Sequence, residues 1–296
     1  MPNVLLLRAP SESPDRYEAA FSVAKYAVSS VPVLETVFVN SKALADVVGS
    51  ESQYRGVIIT SGRASEAWAT AVANLESEQF GSDAHFWSTT PFYVVGKSTA
   101  SVLMAIQTAH PNSPLCPVDI RGDSSGTSEQ LAKFILGDLD TLPPSSEQKP
   151  FLYLTGDKNR DTLPKILQDA DVELSALQVY QTQGSSTFSD DLDVILNSSS
   201  TQDPDIWWIV FFAPSAAEFV LPVLRRRFRL DSDILPCFTS TLRATRVASI
   251  GPTTSVFLQE KLSIRVDAMA SKPAPESLLL AIETHDKVHC KNVASP

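Results

Sequence analysis

One short stretch, used twice, constrains this chain more than any other feature: an apolar strand, a glycine, and a Ser/Thr cluster that opens a helix. The first copy is Val94-Val95-Gly96-Lys97-Ser98-Thr99-Ala100. The second is Ser249-Ile250-Gly251-Pro252-Thr253-Thr254-Ser255, with the glycines 155 positions apart. Each copy predicts backbone N–H groups and a hydroxyl at the C-terminal edge of a strand, where open α/β sheets bind ligands. Two more landmarks recur in the same order. Val4-Leu5-Leu6-Leu7 returns as Phe151-Leu152-Tyr153-Leu154 after 147 residues, and the segment from Ile58 to Glu66 returns as Val210 to Glu218 after 152. These offsets predict a duplicated α/β unit. The plainer account is that any two α/β halves share strand–turn–helix grammar.

The chain has 296 residues, room for two domains of ordinary size, and 43% of them are hydrophobic, enough for real cores. Its formal charge of −10 argues against nucleic-acid binding and against an anionic membrane surface. A small anionic ligand stays open, because helix N-termini hold anions without a basic surface. Cys116, Cys237 and Cys290 are far apart and in no metal spacing, which predicts a reducing compartment. The chain enters a strand directly after Met1-Pro2-Asn3, so neither a targeting segment nor a membrane span is expected.

Read in order, Val4–Leu7 predicts a strand buried on both faces, and helical spacing runs from Tyr17 to Val28. Strands are expected at 33–39, 56–60, 92–95, 117–120 and 151–154, and a long β-type run at 172–182. Strands at 206–212, 246–250 and 265–269 follow. Helices are expected at 41–48, 64–75, after Gly96, after Thr127, up to about Ala170, and at 214–226, 254–262 and 275–288. Alternating strands and helices predict mainly parallel sheets covered on both faces. Polar loops are expected at 142–150, 184–187 and 197–205, and a frayed tail at 291–296.

With these motifs in place the chain resembles the uroporphyrinogen-III synthase family. The resemblance is carried by Val4-Leu5-Leu6-Leu7-Arg8, Ile59-Thr60-Ser61-Gly62-Arg63-Ala64, Val94 to Ala100, Val179-Tyr180-Gln181-Thr182, Phe211-Phe212-Ala213-Pro214-Ser215, Ile250 to Thr254, and Lys272 to Leu278. These cover nearly the whole chain in the family's order. The resemblance implies two flavodoxin-like parallel-sheet α/β domains joined by a two-strand linker, one inserted in the other. Domain 1 would be residues 1–38 with 179–296, domain 2 residues 39–178, and the linker strands would lie near 33–39 and 175–182, not at the proline-rich loop before 150.

The implied reaction closes hydroxymethylbilane, a linear tetrapyrrole with many carboxylates. Its terminal hydroxyl leaves to give an azafulvene cation, a spiro intermediate forms, and the macrocycle recloses with the last ring inverted. The resemblance further implies a cytoplasmic monomeric lyase of heme biosynthesis with no metal or cofactor, and a transient hand-over of substrate from hydroxymethylbilane synthase. The task is then mainly conformational: hold a flexible polyanion so that the wrong closure is out of reach. No paired carboxylates and no Ser/His/Asp set stand out, which suits such a task. Helix N-termini, each adding roughly 0.3–1 kcal/mol for an anion, are suitable anchors.

The resemblance points to Tyr180 as a general acid toward the departing hydroxyl; the competing account is a strand tyrosine packed at a domain joint. Thr99, Thr253 and Thr254 would offer hydroxyls to substrate carboxylates, or simply cap helices. Ser61 and Arg63 would face the ligand, or be a turn serine and a solvated cation. Ala213 stands where the family pattern has serine, which shifts that contact to Ser215 or to backbone. Arg246 precedes the Gly251 loop where the family tends to carry a basic residue, and Arg8 ends the first strand at the ligand edge. The run Arg225-Arg226-Arg227-Phe228-Arg229 reads as a solvated helix end. His285-x3-His289-Cys290 lacks a further ligand for a metal. An alternative is a two-lobed, non-catalytic binding protein for an anionic small molecule. A two-domain glycosyltransferase is a third reading, but it would need a nucleotide site with a ribose-binding carboxylate.

Overall fold

The computed structural model describes residues 2–11, 13–50, 53–75, 87–111, 113–141, 149–198, 206–230 and 242–293. Residues 142–148 and 199–205 of the expected polar loops, Cys237 and the last three residues of the tail lie outside them, as do the side chains of His289 and Cys290.

Strand β1 (Asn3–Leu7) is buried at every position, as its unbroken apolar run requires. Helix α1 (Arg16–Val23) starts at an Asp15 cap that accepts from the Tyr17 and Glu18 N–H groups. It ends five residues before the expected Val28, and Ala27–Val31 forms strand β2 instead. The stop is a Schellman turn: Lys25 is left-handed (φ 63°), its N–H bonds Ser22 O, and the Tyr26 N–H bonds Phe21 O, with the Phe21 and Tyr26 rings 5.6 Å apart. No glycine marks this position, so periodicity alone runs on.

Next come β3 (Leu34–Phe38), α2 (Ser41–Val48), β4 (Gly56–Ile59), α3 (Gly62–Leu75), β5 (Pro91–Val94), α4 (Lys97–Ala109), β6 (Asp119–Arg121) and α5 (Ser128–Thr141). Strand β7 (Phe151–Thr155) and helix α6 (Thr162–Gln168) follow. The expected run at 172–182 is two strands, β8 (Leu174–Gln178) and β9 (Tyr180–Gly184), divided at Val179. The chain finishes with α7 (Phe188–Ser198), β10 (Trp207–Phe211), α8 (Pro214–Leu224), β11 (Phe228–Arg229), β12 (Arg243–Ser249), α9 (Pro252–Leu262), β13 (Ala268–Met269) and α10 (Pro275–Val293).

Two compact units result: Met1–Glu35 with Gln183–Pro296, and Thr36–Thr182. The first holds a parallel sheet in which β2, β1, β10 and β12 are successive neighbours, and β11 and β13 both pair with β12. Taken as β2-β1-β10-β12-β13, this is the flavodoxin-like order 2-1-3-4-5. Its cores lie on the two faces of the sheet, one around Leu5, Phe211 and Leu258, the other around Leu6, Trp208 and Ile282. The second unit is an all-parallel sheet in the order β6-β5-β4-β7-β8. Trp68 packs edge-on to Trp87 and Phe92 on one face, and Tyr93, Phe151 and Leu167 line the other. Read from β8, this order is the flavodoxin one started at β7, a circular permutation.

The sequence repeat explains the permutation. Strands β1, β4 and β5 recur as β7, β10 and β12, yet β4 pairs with β7 and carries β5 on its far side, while β10 pairs with β1 and carries β12. Each sheet therefore combines strands from both copies. Even the helix stop repeats: Asp171 is left-handed (φ 56°), with its N–H on Gln168 O and the Val172 N–H on Leu167 O, as at Lys25.

The copies exchange partners through β3 and β9, which form a sheet of their own. The Val39 N–H bonds Val179 O and the Ser185 N–H bonds Val33 O, so this pair runs antiparallel.

Candidate functional site

In the five-stranded sheet of the 36–182 unit all strands run parallel, so the loops after β4, β5 and β7 share one edge. The Val179 N–H still bonds Thr155 O at 2.9 Å, and the next residue, Tyr180, is carried just past that edge. Ser61 Oγ donates to Tyr180 Oη at 3.1 Å and accepts from the Ala64 N–H at 3.3 Å. The exposed Arg63 guanidinium lies 5.9 Å from the centre of the Tyr180 ring. Three of the sequence-derived candidates thus form one group. A hydrogen-bonded line runs from the first turn of α3 through the serine to the phenol oxygen, which leaves the phenol's own proton for another acceptor. Tyr153, 4% exposed, lies on the strand below. Burial pushes its phenol up, against a hydrogen bond from Thr60.

Helix α4 has Gly96 as its N-cap, at φ 79°, and no side chain caps it. A methyl group built on Gly96 would meet nothing within 4 Å. Thr99 is already inside the first turn and 3% exposed, and its carbonyl accepts from Ser65 Oγ at 3.3 Å. The capping account of Thr99 is therefore replaced. The glycine holds the cap position, and what the turn presents outward is backbone N–H together with Lys97 and Ser98.

The other unit repeats this arrangement on its own carboxyl edge. Helix α9 starts at Gly251 and α8 at Ala213, and neither has a side-chain cap. Gly251 is extended (φ 174°), a conformation open to any residue, and the space where its side chain would stand is empty to 4 Å. Neither backbone strain nor internal packing requires glycine there. Thr253 is exposed and Thr254 is 4% exposed. Ser215, the second residue of α8, is half-buried on the neighbouring loop, since β10 and β12 are adjacent and register Phe211 with Ser249.

Arg246 does not join this group. It lies three residues before the end of β12, roughly 10 Å along the strand at the usual rise. Its guanidinium is ion-paired with Asp286 of α10 and sits 5.7 Å from the Trp208 ring. Asp286 also accepts from Tyr26 Oη at 2.9 Å and from the Trp208 indole N–H at 3.3 Å. That network fastens α10 to the sheet. Arg8 does sit at the carboxyl edge. It donates to Asp15 at 2.8 Å and lies 5.0 Å and 5.4 Å from the Tyr17 and Phe212 rings. In the basic run, Arg227 forms a bidentate pair with Asp193 at 2.8 Å. Among the described residues no group of three His, Cys, Asp or Glu side chains is placed to hold a metal ion.

Sequence reasoning passed over the loop after β7. Gly156 lies directly under the Tyr180 ring, its N–H bonds Asn159 Oδ1 at 3.2 Å, and Asp157 Oδ1 accepts from the Thr182 N–H at 3.1 Å. The only signal was the small-residue turn Thr155-Gly156-Asp157, which looks like any strand–helix connection.

Chemically, each edge offers uncapped helix N-termini suited to carboxylates, and one edge adds a phenol able to give a proton. The family model described as uroporphyrinogen-III synthase HemD matches residues 15–279. Uroporphyrinogen-III synthase of Schizosaccharomyces pombe is 28% identical over 290 residues, covering 97% of this chain and 98% of that protein. The Saccharomyces cerevisiae enzyme of the same name is 28% identical over 292 residues, covering 96% of each. Among solved structures, uroporphyrinogen-III synthetase from Helicobacter pylori aligns with a TM-score of 0.44 at 18% identity, over 96% of this chain and 100% of that one.

Proposed function

The chain belongs to the uroporphyrinogen-III synthase family, and from that premise we propose how it converts hydroxymethylbilane to uroporphyrinogen III as a cyclising lyase. The uncapped N-termini of α4, α8 and α9 take substrate carboxylates on backbone N–H groups, aided by the helix dipoles. Ser215, Thr253 and Ser98 add hydroxyls beside those amides, and Arg63 adds a cation. Buried Thr99 and Thr254 shape the turns from within, and Arg246 serves the fold.

Tyr180 gives its phenol proton to the departing hydroxyl, which leaves as water while the pyrrole nitrogen supplies the electrons. Ser61 holds the phenol oxygen. The anchored carboxylates then keep the cation in the conformation that closes through the spiro intermediate, with the last ring inverted. No protein nucleophile is needed, because the substrate's own ring carbon attacks. The observation that carries this reading is the repeated glycine turn: Gly96 and Gly251 each open a helix with no side-chain cap, and the space beside each is open. The reading extends to a monomer acting in the cytoplasm and supplied by hydroxymethylbilane synthase. The acidic net charge and the three dispersed cysteines support that setting. Among the described residues no helix is long and apolar enough to cross a membrane.

The test is the isomer ratio formed from enzymically made hydroxymethylbilane. The inverted isomer is expected to dominate; a spontaneous, non-inverted ratio would leave only an anion-binding protein. Tyr180→Phe is expected to lower kcat by about tenfold, less than the roughly hundredfold or more of a typical proton donor, because the pyrrole already drives departure. Its melting temperature should be unchanged, and unaltered kcat would return Tyr180 to a packing role.

A further inference from the structure

We infer that Gly156 is a positioning residue for the Tyr180 phenol, a role that rests on the reading of Tyr180 as proton donor. A Cβ built on Gly156 would lie 2.4 Å from Tyr180 Cζ, 2.5 Å from Cε2 and 2.7 Å from Oη. The ring therefore lies flat on the loop backbone with its reactive end over the glycine. The backbone there is not left-handed, so the demand is for space alone.

The surroundings fix the ring on the other sides. The Val179 N–H to Thr155 O bond (2.9 Å) sets the strand beside the loop just before Tyr180, and the Thr182 N–H to Asp157 Oδ1 bond (3.1 Å) does so just after it. The Gly156 N–H is itself held by Asn159 Oδ1. Ser61 reaches the phenol oxygen from the loop after β4. The phenol is therefore clamped between a hydroxyl and a bare stretch of backbone, both supported by hydrogen bonds of their own.

A methyl group at position 156 must push the ring outward by about 1 Å to restore ordinary carbon–carbon contact. The atoms in the way are the far end of a side chain, so the ring yields while the fold stays. Such a shift lengthens or breaks the Ser61 contact and moves the proton away from the hydroxyl it must meet. A displacement of about 1 Å at a reacting group can cost up to about a hundredfold in rate.

The experiment is a double-mutant cycle on the full chain: wild type, Gly156→Ala, Tyr180→Phe and the double variant, with Gly137→Ala as a control. Gly137 lies on α5, where an added methyl meets nothing within 4 Å, and that variant should match wild type. Gly156→Ala is expected to lower kcat by about tenfold, as loss of the phenol does. KM should stay within about twofold, and the double variant should be no slower than Tyr180→Phe alone. If Gly156→Ala keeps wild-type kcat while Tyr180→Phe is slow, the inference about Gly156 fails and the proton-donor reading survives. Equal losses from Gly156→Ala in both backgrounds would also overturn it, since the glycine would then act independently of the phenol. A silent Tyr180→Phe would remove the proton-donor reading and this inference with it. Should Gly156→Ala fail to fold, Gly156→Ala/Tyr180→Ala removes the ring in the way. Recovered folding supports the contact, and continued failure to fold overturns it.

Discussion

Asp15 shows how much one residue can carry at the carboxyl edge of the first unit. Its carboxylate is 1% exposed, caps α1, and accepts from the Ser11 N–H and from Arg8. Burial alone would raise its pKa. The hydrogen bonds from Ser11, Arg8, Glu18 and Tyr17 together outweigh burial and hold it far below the usual carboxylate range. The sign follows directly. A depressed folded value means the stabilisation is fully present above the unfolded pKa of about 4 and is lost as pH falls below it, toward the folded value. Asp15→Asn is expected to destabilise the unit by about 2 kcal/mol at neutral pH, through a weakened cap and a lost charge-assisted bond. Denaturant unfolding at pH 7 and pH 3 measures this; an equal deficit at both would rule out the charge as its source. At this scale a motif names residues, and Tyr180, Ser61 and Arg63, named that way, lie together in the structure. Arg246 has the expected spacing from Gly251, but its side chain leads away from that loop. It points to Asp286 on α10, a helix 40 positions further on.

Elements were legible wherever an apolar run or a helical period was uninterrupted, as in β1, β7, β10 and α3. Their ends were less so. Helix α1 stops at a left-handed Lys25 and α6 is followed by a left-handed Asp171, residues that sequence reading does not treat as stops. A non-glycine residue in that conformation costs roughly 1–2 kcal/mol, less for Asp than for Lys, because the short polar side chain is tolerated. Glycine removes that strain but loses more entropy on folding, by roughly 0.5–1 kcal/mol. Lys25→Gly is therefore expected to stabilise by about 0.5–1 kcal/mol, and Asp171→Gly by less. Thermal unfolding of the two variants checks both the sign and the ranking. A destabilised Lys25→Gly would mean that the lysine side chain, not the Schellman bonds, secures the turn.

Across the whole molecule, the repeat is completed by exchange. The core side chains around Trp68 and those around Tyr93 belong entirely to residues 36–182, and those around Leu5 and Leu6 entirely to the remainder. Fragment 36–182 is thus expected to fold alone, with a cooperative thermal transition and a dispersed amide spectrum. Glu35 and Gln183 meet on the antiparallel pair, their side chains 2.9 Å apart, so joining them by Asn-Gly should close a hairpin and leave the other unit folded. A molten fragment in either case would show that the units depend on each other for stability. From its residues alone the chain determined that it would be two sets of parallel strands with glycine turns at their ends, because burial pattern and turn chemistry are local properties. Tertiary structure alone decided that β1 sits beside β10 while β7 sits beside β4. Both strands are fully buried apolar runs that would fit either neighbour, so only the closure of whole sheets around their cores selects the pairing. The same holds for Gly156: its use lies in a ring carried on β9, 24 residues away, and that contact exists only once the strands have assembled.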